Sequence, residues 1–417
     1  MKTSRRALLA AAAAGSCALV ARARAADALR VPRAELDRIL NQPVLTTDFV
    51  KEPVIVESVE LLVNGRNDLV RTRSAAGVEV VTVPNPERMA QTYPIFLKNI
   101  VPVFLKQDAR KLESLLWDVY RHSSNYKLQG IALWPGVAAI EMALLELMGQ
   151  TAGRPLADFF GGRSRDEIAV YYASGNRGNT PEAEVEYLQK LVAGSGAKAI
   201  KFRLGGRMNK NVDSLPGRTE ALIPLVRKTF GDALTLYADS NSSYDAKEAI
   251  RIGRLMEQHG YGFYEEPCPF DDLWDTKEVA DALTIPVAGG EQEFSMARWR
   301  WAVAERGLDI VQPDLHYGGG FIRATQVARM AAAAGMPVVP HMSGGGLGYL
   351  DVVHFASFTP NIGPFMEFKG NTDLPAHCPT SSLKVERGLV RVPTGSGCGI
   401  TIDPAFVKQA RVVAAGP

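Results

Sequence analysis

Three carboxylates recur along this chain at equal spacing, and each comes directly after a short apolar run. They are Asp239, Glu265 and Glu291, and successive acids are 26 residues apart. One strand, one helix and two connecting loops need about this length of chain. The repeat therefore predicts successive βα units of a parallel barrel. The alternative is three unrelated surface acids that happen to follow strands.

In a parallel barrel, the carboxyl ends of the strands meet at one mouth, so the three acids are expected to converge there. Carboxylates at close range cannot all stay ionised unless a cation joins them. A set of oxygen ligands favours Mg²⁺, which leaves positions for substrate and water. The sequence thus predicts a Mg²⁺ site formed by Asp239, Glu265 and Glu291.

The rest of the chain fits an α/β fold built around such a barrel. Alternating strand and helix signals over residues 164–375 predict a (β/α)7-8 TIM-like barrel. Before it, two strand regions and the apolar helix 137–148 predict an α+β capping domain over residues 52–163. Residues 376–417 have no room in a closed barrel, so this tail is expected to return to the capping domain and complete it.

The N-terminus has the pattern of an export signal. A basic start with the pair Arg5 and Arg6 is followed by an alanine-rich run and by Ala23-Arg24-Ala25, a small-x-small cleavage site. This predicts a twin-arginine signal peptide over residues 1–25 and a periplasmic protein. Cleavage would remove five basic and no acidic residues and change the formal net charge from +2 to −3. That near-neutral charge argues against nucleic acid, or a membrane after signal removal, as a partner.

The four cysteines do not form a disulfide framework. Cys17 would leave with the signal, and lipoprotein anchoring there is disfavoured because Ala14 stands where a branched residue is usual. Cys268, Cys378 and Cys398 are an odd number in an oxidising compartment. Free thiols are expected, and a bridge between the last two stays open.

Other chemically useful residues stand at the ends of the remaining predicted strands. Lys201 and Arg203 end the second strand and, being two apart, face the same way. Asp314 follows the sixth strand, His341 the seventh and Glu367 the eighth. A histidine held by a carboxylate is a base suited to neutral pH. Taken singly, each residue also fits a structural role or a solvated strand edge.

Together these motifs resemble the enolase superfamily, in its mandelate racemase subgroup. The resemblance covers nearly the whole mature chain and rests on five motifs: Asp239-Ser-Asn241, Glu265-Glu266-Pro267, Gly290-Glu291, Pro313-Asp314 and Pro340-His341. It implies the same three metal ligands, an Asp–His dyad, and an acid at Glu367 that hydrogen-bonds a substrate oxygen. Asp314 on the sixth strand argues against muconate-cycloisomerase-like members, which carry Lys there. Asn241 and, in the capping domain, Arg66 are the expected substrate contacts.

One departure from the family pattern concerns the base. The family's Lys-x-Lys motif is Lys201-x-Arg203 here, and arginine keeps its proton. A racemase needs a base on each face of the α-carbon, and this site keeps one, His341. The resemblance therefore implies a lyase of the acid-sugar dehydratase type. It would abstract the proton α to a carboxylate and eliminate β-water to give a 2-keto-3-deoxy acid.

Two alternatives remain at this point. One is a racemase or epimerase of a 2-hydroxy acid with the same fold, and the other is an exported, non-catalytic sugar-acid-binding protein. In each case the partner is a small-molecule carboxylate, and a homo-oligomer is expected.

Overall fold

The computed structural model describes residues 30–343, 346–369 and 374–414. The expected signal peptide and Cys17 lie outside these residues. The α-helices are α1 Arg33–Leu40, α2 Pro86–Ile95, α3 Val101–Phe104, α4 Leu112–Arg121, α5 Gly130–Ala152, α6 Pro181–Val192, α7 Arg218–Phe230, α8 Ala246–Gln258, α9 Leu273–Ala282, α10 Met296–Ala304, α11 Phe321–Ala333, α12 Tyr349–Phe358 and α13 Pro404–Lys408. The strands are β1 Val56–Asn64, β2 Asn67–Ser74, β3 Glu79–Thr82, β4 Glu167–Ala173, β5 Ala199–Arg203, β6 Thr235–Asp239, β7 Phe263–Glu265, β8 Val287–Gly289, β9 Ile310–Val311, β10 Met366–Phe368, β11 Ala376–His377, β12 Leu389–Arg391, β13 Thr401–Ile402 and β14 Arg411–Val412.

The first domain is an antiparallel sheet covered by helices. Its strands lie in the order β14-β1-β2-β3. The helix α5 packs against β2 and β3, and most of its residues are buried. Its length and apolar composition would suffice for a membrane span, but 89% of its most apolar window is buried inside the protein. This is the burial expected of a core helix.

Prolines lie at or near the start of two helices of this domain. The helix α2 starts at Pro86, because the Asn85 side chain accepts a hydrogen bond from the Arg88 N–H and a proline needs no partner in a first turn. The apolar helix expected over 137–148 starts earlier, at Gly130, and includes Pro135. The proline removes one backbone hydrogen bond there, and the burial of the helix outweighs this loss.

The barrel is a curled parallel sheet whose strands lie in the order β10-β4-β5-β6-β7-β8-β9. The seventh strand, expected just before His341, is reduced to single parallel bridges from Val338 to Val311 and to Ile362. Pro337 and Pro340 lack the N–H donors that a regular ladder would need, which accounts for the reduction. The prediction of a TIM-like barrel with an α+β cap is confirmed.

The C-terminal tail divides between the two domains. Val412 pairs with Leu62, so β14 completes the cap sheet as expected. The run that begins at Leu389 instead pairs with Ala169, so β12 extends the first barrel strand rather than the cap. An antiparallel neighbour fits there because the start of β4 leaves an unpaired edge. Cys268, Cys378 and Cys398 are free thiols, so the open Cys378–Cys398 bridge does not form.

Candidate active site

The three equally spaced acids meet at the mouth of the barrel. Asp239 ends β6 and Glu265 ends β7, and the two are register partners in neighbouring strands. Glu291 follows β8 after Gly290, whose φ of +107° and close approach to Trp299 exclude a side chain. One carboxylate oxygen from each of the three acids lies within 4.8 Å of the other two, and all three residues are buried. The predicted convergence is therefore present.

This cluster suits a hard divalent cation. Its donors are carboxylate oxygens, and one buried oxygen, Glu291 Oε2, accepts no hydrogen bond from the residues that the structure describes. Three buried carboxylates this close need a cation to remain ionised together. Asp239, Glu265 and Glu291 thus fit a metal site.

The two cations predicted at the end of β5 face the acids. Lys201 Nζ lies 2.5 Å from Glu265 Oε1 and 3.9 Å from Asp239 Oδ2, and Arg203 forms an ion pair with Asp239. Burial tends to lower the pKa of Lys201, but the charge of Glu265 and then that of Glu367 outweigh it and raise the pKa. Lys201 therefore keeps its proton and acts as a cation.

The expected Asp–His pair is present on the opposite side. His341 Nδ1 lies 2.7 Å from Asp314 Oδ2. Burial tends to raise the pKa of Asp314, but the hydrogen bond and charge of His341, together with His316 and the Tyr317 N–H, lower it, so the carboxylate stays ionised. Because Asp314 then accepts from Nδ1–H, the other ring nitrogen turns to the acids and lies 3.3 Å from Glu291. That nitrogen can take up a proton at the mouth.

Glu367 lies inside β10 and faces both the lysine and the histidine. Its carboxylate is 3.3 Å from Lys201 Nζ and 3.8 Å from His341 Nε2, and it accepts a hydrogen bond from the Met342 N–H. Burial tends to raise the pKa of Glu367, but the charges of Lys201, Lys369, His341 and Arg203 together hold it well below the usual value. Glu367 is therefore a fixed negative charge beside the base.

The two predicted substrate contacts occupy different places. Asn241 lies at the site, where its Nδ2 donates to Asp239 Oδ2 at 3.2 Å and to Glu266 Oε2 at 3.1 Å. Its Oδ1 accepts from Arg177 and Arg207. All four hydrogen bonds go to the protein, so in this structure Asn241 holds a metal-ligand candidate in place.

Arg66 lies at the tip of a tight hairpin, in which Asn64 pairs with Asn67, and its expected role as a substrate contact stays a prediction. Arg66 lines a cavity of about 830 Å³. The described residues around that cavity all belong to the cap or the tail: Leu61, Val63, Gly65, Asp68, Glu87, Ala90, Tyr93, Arg411, Val413 and Ala414.

Several residues of the site were not predicted. Gln312 Nε2 donates to Glu265 Oε2 at 2.8 Å, and Lys369 Nζ lies 3.2 Å from Glu367. Each is two positions from a predicted site residue, Asp314 or Glu367, so strand alternation could have indicated it.

A buried chain of hydrogen bonds also links the cap to the dyad. Asn85 Nδ2 donates to Ser343 Oγ at 2.7 Å, and Ser343 donates to Asp314 Oδ1 at 3.1 Å. The backbone N–H groups of His316 and Tyr317 donate to the same oxygen. Asn85 and Ser343 are 258 residues apart, so no local sequence pattern could join them.

Comparison with known proteins bears on this arrangement. Residues 183–406, more than half of the chain, match the family described as enolase C-terminal domain-like. The chain belongs to this enolase family. The expected superfamily is thereby confirmed.

Among curated relatives within the enolase superfamily, the arabinonate dehydratase of Saccharolobus solfataricus is 28% identical over 318 residues, which cover 75% of this chain and 81% of the relative. The D-galactarolactone cycloisomerase of Agrobacterium fabrum is 27% identical over 316 residues, which cover 73% and 81%. Named relatives of this kind are mostly dehydratases, which are lyases, and they confirm the expected enzyme class.

The solved structures agree. The mandelate racemase/muconate lactonizing protein from Paracoccus denitrificans, complexed with magnesium, has a TM-score of 0.77 and 25% identity. The match covers 87% of this chain and all of that one. The barrel, the cap and the superfamily found here are thus shared with a magnesium-bound protein.

Proposed function

We propose that this protein is a Mg²⁺-dependent sugar-acid dehydratase that converts its substrate to a 2-keto-3-deoxy acid. The observation that carries the proposal is the asymmetry of the mouth. On one side, the His341 ring is held in orientation by Asp314 and turns its Nε2 to the mouth. On the other side stand Lys201 and Arg203, both in ion pairs with acids. One base suits elimination, whereas racemisation needs a base on each face of the α-carbon.

Asp239, Glu265 and Glu291 would hold the metal. Bound Mg²⁺ supplies Lewis acidity that makes the α-proton of a carboxylate substrate more acidic. Lys201 would add a fixed positive charge beside the substrate carboxylate, and Arg203 would bind that carboxylate through its guanidinium.

The chain's own residues then carry the protons. His341 Nε2 removes the α-proton, and Asp314 stabilises the imidazolium that forms. The developing negative charge on the carboxylate is stabilised by Lys201. The imidazolium returns its proton to the β-hydroxyl, which leaves as water with the C–O bond electrons. The resulting enol becomes the 2-keto-3-deoxy acid. Glu367 holds its negative charge next to the ring that gains and loses a proton.

The kinds of relatives support this reaction. Several are dehydratases of sugar acids, among them proteins named for arabinonate, D-galactonate and D-gluconate. Because the substrates in these relatives' names are all sugar acids, we infer that the substrate of this protein is also a sugar acid.

The test is a screen of purified protein with Mg²⁺ against a sugar-acid library, with detection of 2-keto acids. Formation of a 2-keto-3-deoxy acid from at least one member, abolished by EDTA and restored by Mg²⁺, is the expected result. Epimerised substrate without a keto product would favour the racemase alternative. Binding by calorimetry without any turnover would favour the non-catalytic binding protein.

A further inference from the structure

Four arginine side chains meet beside the proposed metal site, and two of them lie beside an acid. Arg203 pairs with Asp239, and Arg218 lies 3.9 Å from Glu184. In the part of the chain that the structure describes, the other two, Arg177 and Arg207, form no ion pair. Both donate instead to one neutral atom, Asn241 Oδ1.

This arrangement leaves positive charge without compensation. Arg177 is half-buried in the loop after β4, where it also donates to the carbonyl of Leu204 at 2.5 Å. Burial, and then the charges of Arg203, Arg207 and Arg218, lower the pKa of Arg177 to about 9. Like charges that share one amide oxygen repel each other, and an anion between them would relieve the repulsion. Guanidinium groups bind carboxylates through paired hydrogen bonds.

The pair lies within reach of the reaction centre. The amide of Asn241 joins the two guanidiniums on its oxygen to Asp239 on its nitrogen, so one side chain separates them from a metal-ligand candidate. Arg207 is exposed on the loop that follows β5, on the same side of the barrel as the mouth.

The loop presents Arg207 in a defined position. The Arg207 N–H donates to Ser243 Oγ at 2.9 Å, and the Met208 N–H donates to the Asn241 carbonyl at 3.1 Å. Both residues have left-handed backbone, with φ of +52° and +55°. Non-glycine residues adopt this conformation only where contacts hold them, as these hydrogen bonds do.

We propose that Arg177 and Arg207, positioned by Asn241, form a second anion subsite that selects sugar acids with a carboxylate at each end. This inference rests on the proposed function. One carboxylate of such an aldarate would lie at the metal site, and the far carboxylate would accept hydrogen bonds from the two arginines. Substrates with a terminal hydroxyl in its place would leave the arginine charges uncompensated.

The test compares matched pairs of substrates that differ only at the far end, such as galactarate with galactonate and glucarate with gluconate. The expected result is a kcat/KM at least about tenfold higher for the diacid of the preferred pair, as charged hydrogen bonds of this kind imply. Arg207→Met should lower that preference about tenfold, mainly through KM. Arg177→Lys keeps the positive charge but loses the paired N–H donors of the guanidinium, so it should lower the preference for the diacid less than Arg207→Met does.

Arg251→Met is the matched control, since it removes an exposed cation from the outer helix α8, and both substrates should keep their wild-type values. Melting temperatures of all variants show whether each one folds. Equal or higher kcat/KM for the monoacids would overturn this inference and leave the dehydratase proposal standing. Preference for 6-phosphogluconate over every diacid would overturn the dicarboxylate assignment. If no sugar acid yields a keto product, the proposed function fails and takes this inference with it.

Discussion

At the scale of single residues, the chemistry of the mouth depends on which side chains keep their protons. Lys201 is fully buried among Glu265, Glu367 and Asp239, and these acids hold it protonated. His341 has one nitrogen tied to Asp314 and the other turned to the mouth. These contacts explain why Lys201 acts as a fixed cation and His341 acts as the base.

Replacement of the base should stop the reaction at its first step. In His341→Asn, dehydration and exchange of the substrate α-proton for deuterium are both expected to fall by about 100- to 10,000-fold, the usual worth of a general base. Asp314→Asn should lose much of both, because the ring is no longer held in its reactive tautomer. Arg203→Lys should retain measurable exchange and can gain α-epimerisation. NMR of the α-carbon in deuterium oxide measures all three, and wild-type exchange in His341→Asn would refute the one-base mechanism.

Loss of one carboxylate from the cluster should weaken metal binding. Glu265→Gln keeps the shape of the side chain but removes an anionic ligand candidate. Replacement of a residue that hydrogen-bonds a metal ligand typically lowers metal affinity about 10- to 100-fold. Replacement of a ligand itself is therefore expected to lower Mg²⁺ affinity by about 100-fold or more and to abolish turnover. Calorimetric titration of metal provides the measurement, and Glu278→Gln, an exposed acid on α9, is the control. Full activity in EDTA-treated wild-type protein would contradict the metal assignment.

At the scale of elements, the cap is joined to the barrel through polar contacts as well as apolar packing. The residue before α2, Asn85, caps that helix with its oxygen and donates to Ser343 with its nitrogen. Ser343 in turn donates to Asp314, so a cap helix contributes to the orientation of the base. Asn85 and Ser343 are 2% and 4% exposed, which keeps water from replacing these bonds.

Interruption of this link should slow proton abstraction without weakening substrate binding. Ser343→Ala and Asn85→Asp, which retains the capping oxygen, are each expected to lower kcat about three- to tenfold with little change in KM. The kinetic isotope effect of α-deuterated substrate should rise, because proton abstraction becomes more rate-limiting. Ser343→Thr keeps the hydroxyl and should restore much of kcat. An unchanged isotope effect with a lowered melting temperature would assign the two residues a structural role only.

A second joint between domains involves a buried acid on α5. Glu141 accepts a hydrogen bond from the Ile322 N–H at the start of α11, and burial raises the pKa of Glu141 to about 8. The folded state therefore binds a proton that the unfolded state releases near its ordinary pKa. The stabilisation of the folded state by this bound proton is fully present below the ordinary pKa of a glutamate and is lost as the pH rises to about 8.

Stability measured across this pH range should show the effect. The free energy of unfolding of the wild type is expected to decrease between about pH 5 and pH 8, while Glu141→Gln, which needs no proton, should decrease less. Denaturant titrations at several pH values provide the comparison, with Glu278→Gln as the exposed control. Parallel pH profiles for wild type and Glu141→Gln would contradict the assignment.

At the scale of the whole molecule, the C-terminal tail contacts both domains. The cap sheet is completed by β14, and β12 lies against the first barrel strand. The tail therefore ties both domains together. The expected domain boundaries and the homo-oligomer stay predictions.

Export is also a property of the whole chain, and it rests on the N-terminal sequence alone. Arg5 and Arg6 motivate the proposal that the twin-arginine route delivers the protein to the periplasm. Changing both to Lys should retain the precursor in the cytoplasm, which fractionation and immunoblotting would detect. Changing Arg22 and Arg24, outside the pair, is the control, and normal export of the first variant would remove the proposal.

The sequence by itself determined the barrel, the acid cluster and the Asp–His dyad. This was feasible because a parallel barrel places every strand end at one mouth, so local runs before Asp239, Glu265 and Glu291 carry the information. Only the tertiary structure decided contacts between distant segments. The link from Asn85 to Ser343, and the meeting of Arg177 with Arg207 on one oxygen, depend on how separate loops pack. Periodicity reports which way a side chain faces along its own strand, and it contains nothing about the side chain that meets it from elsewhere in the chain.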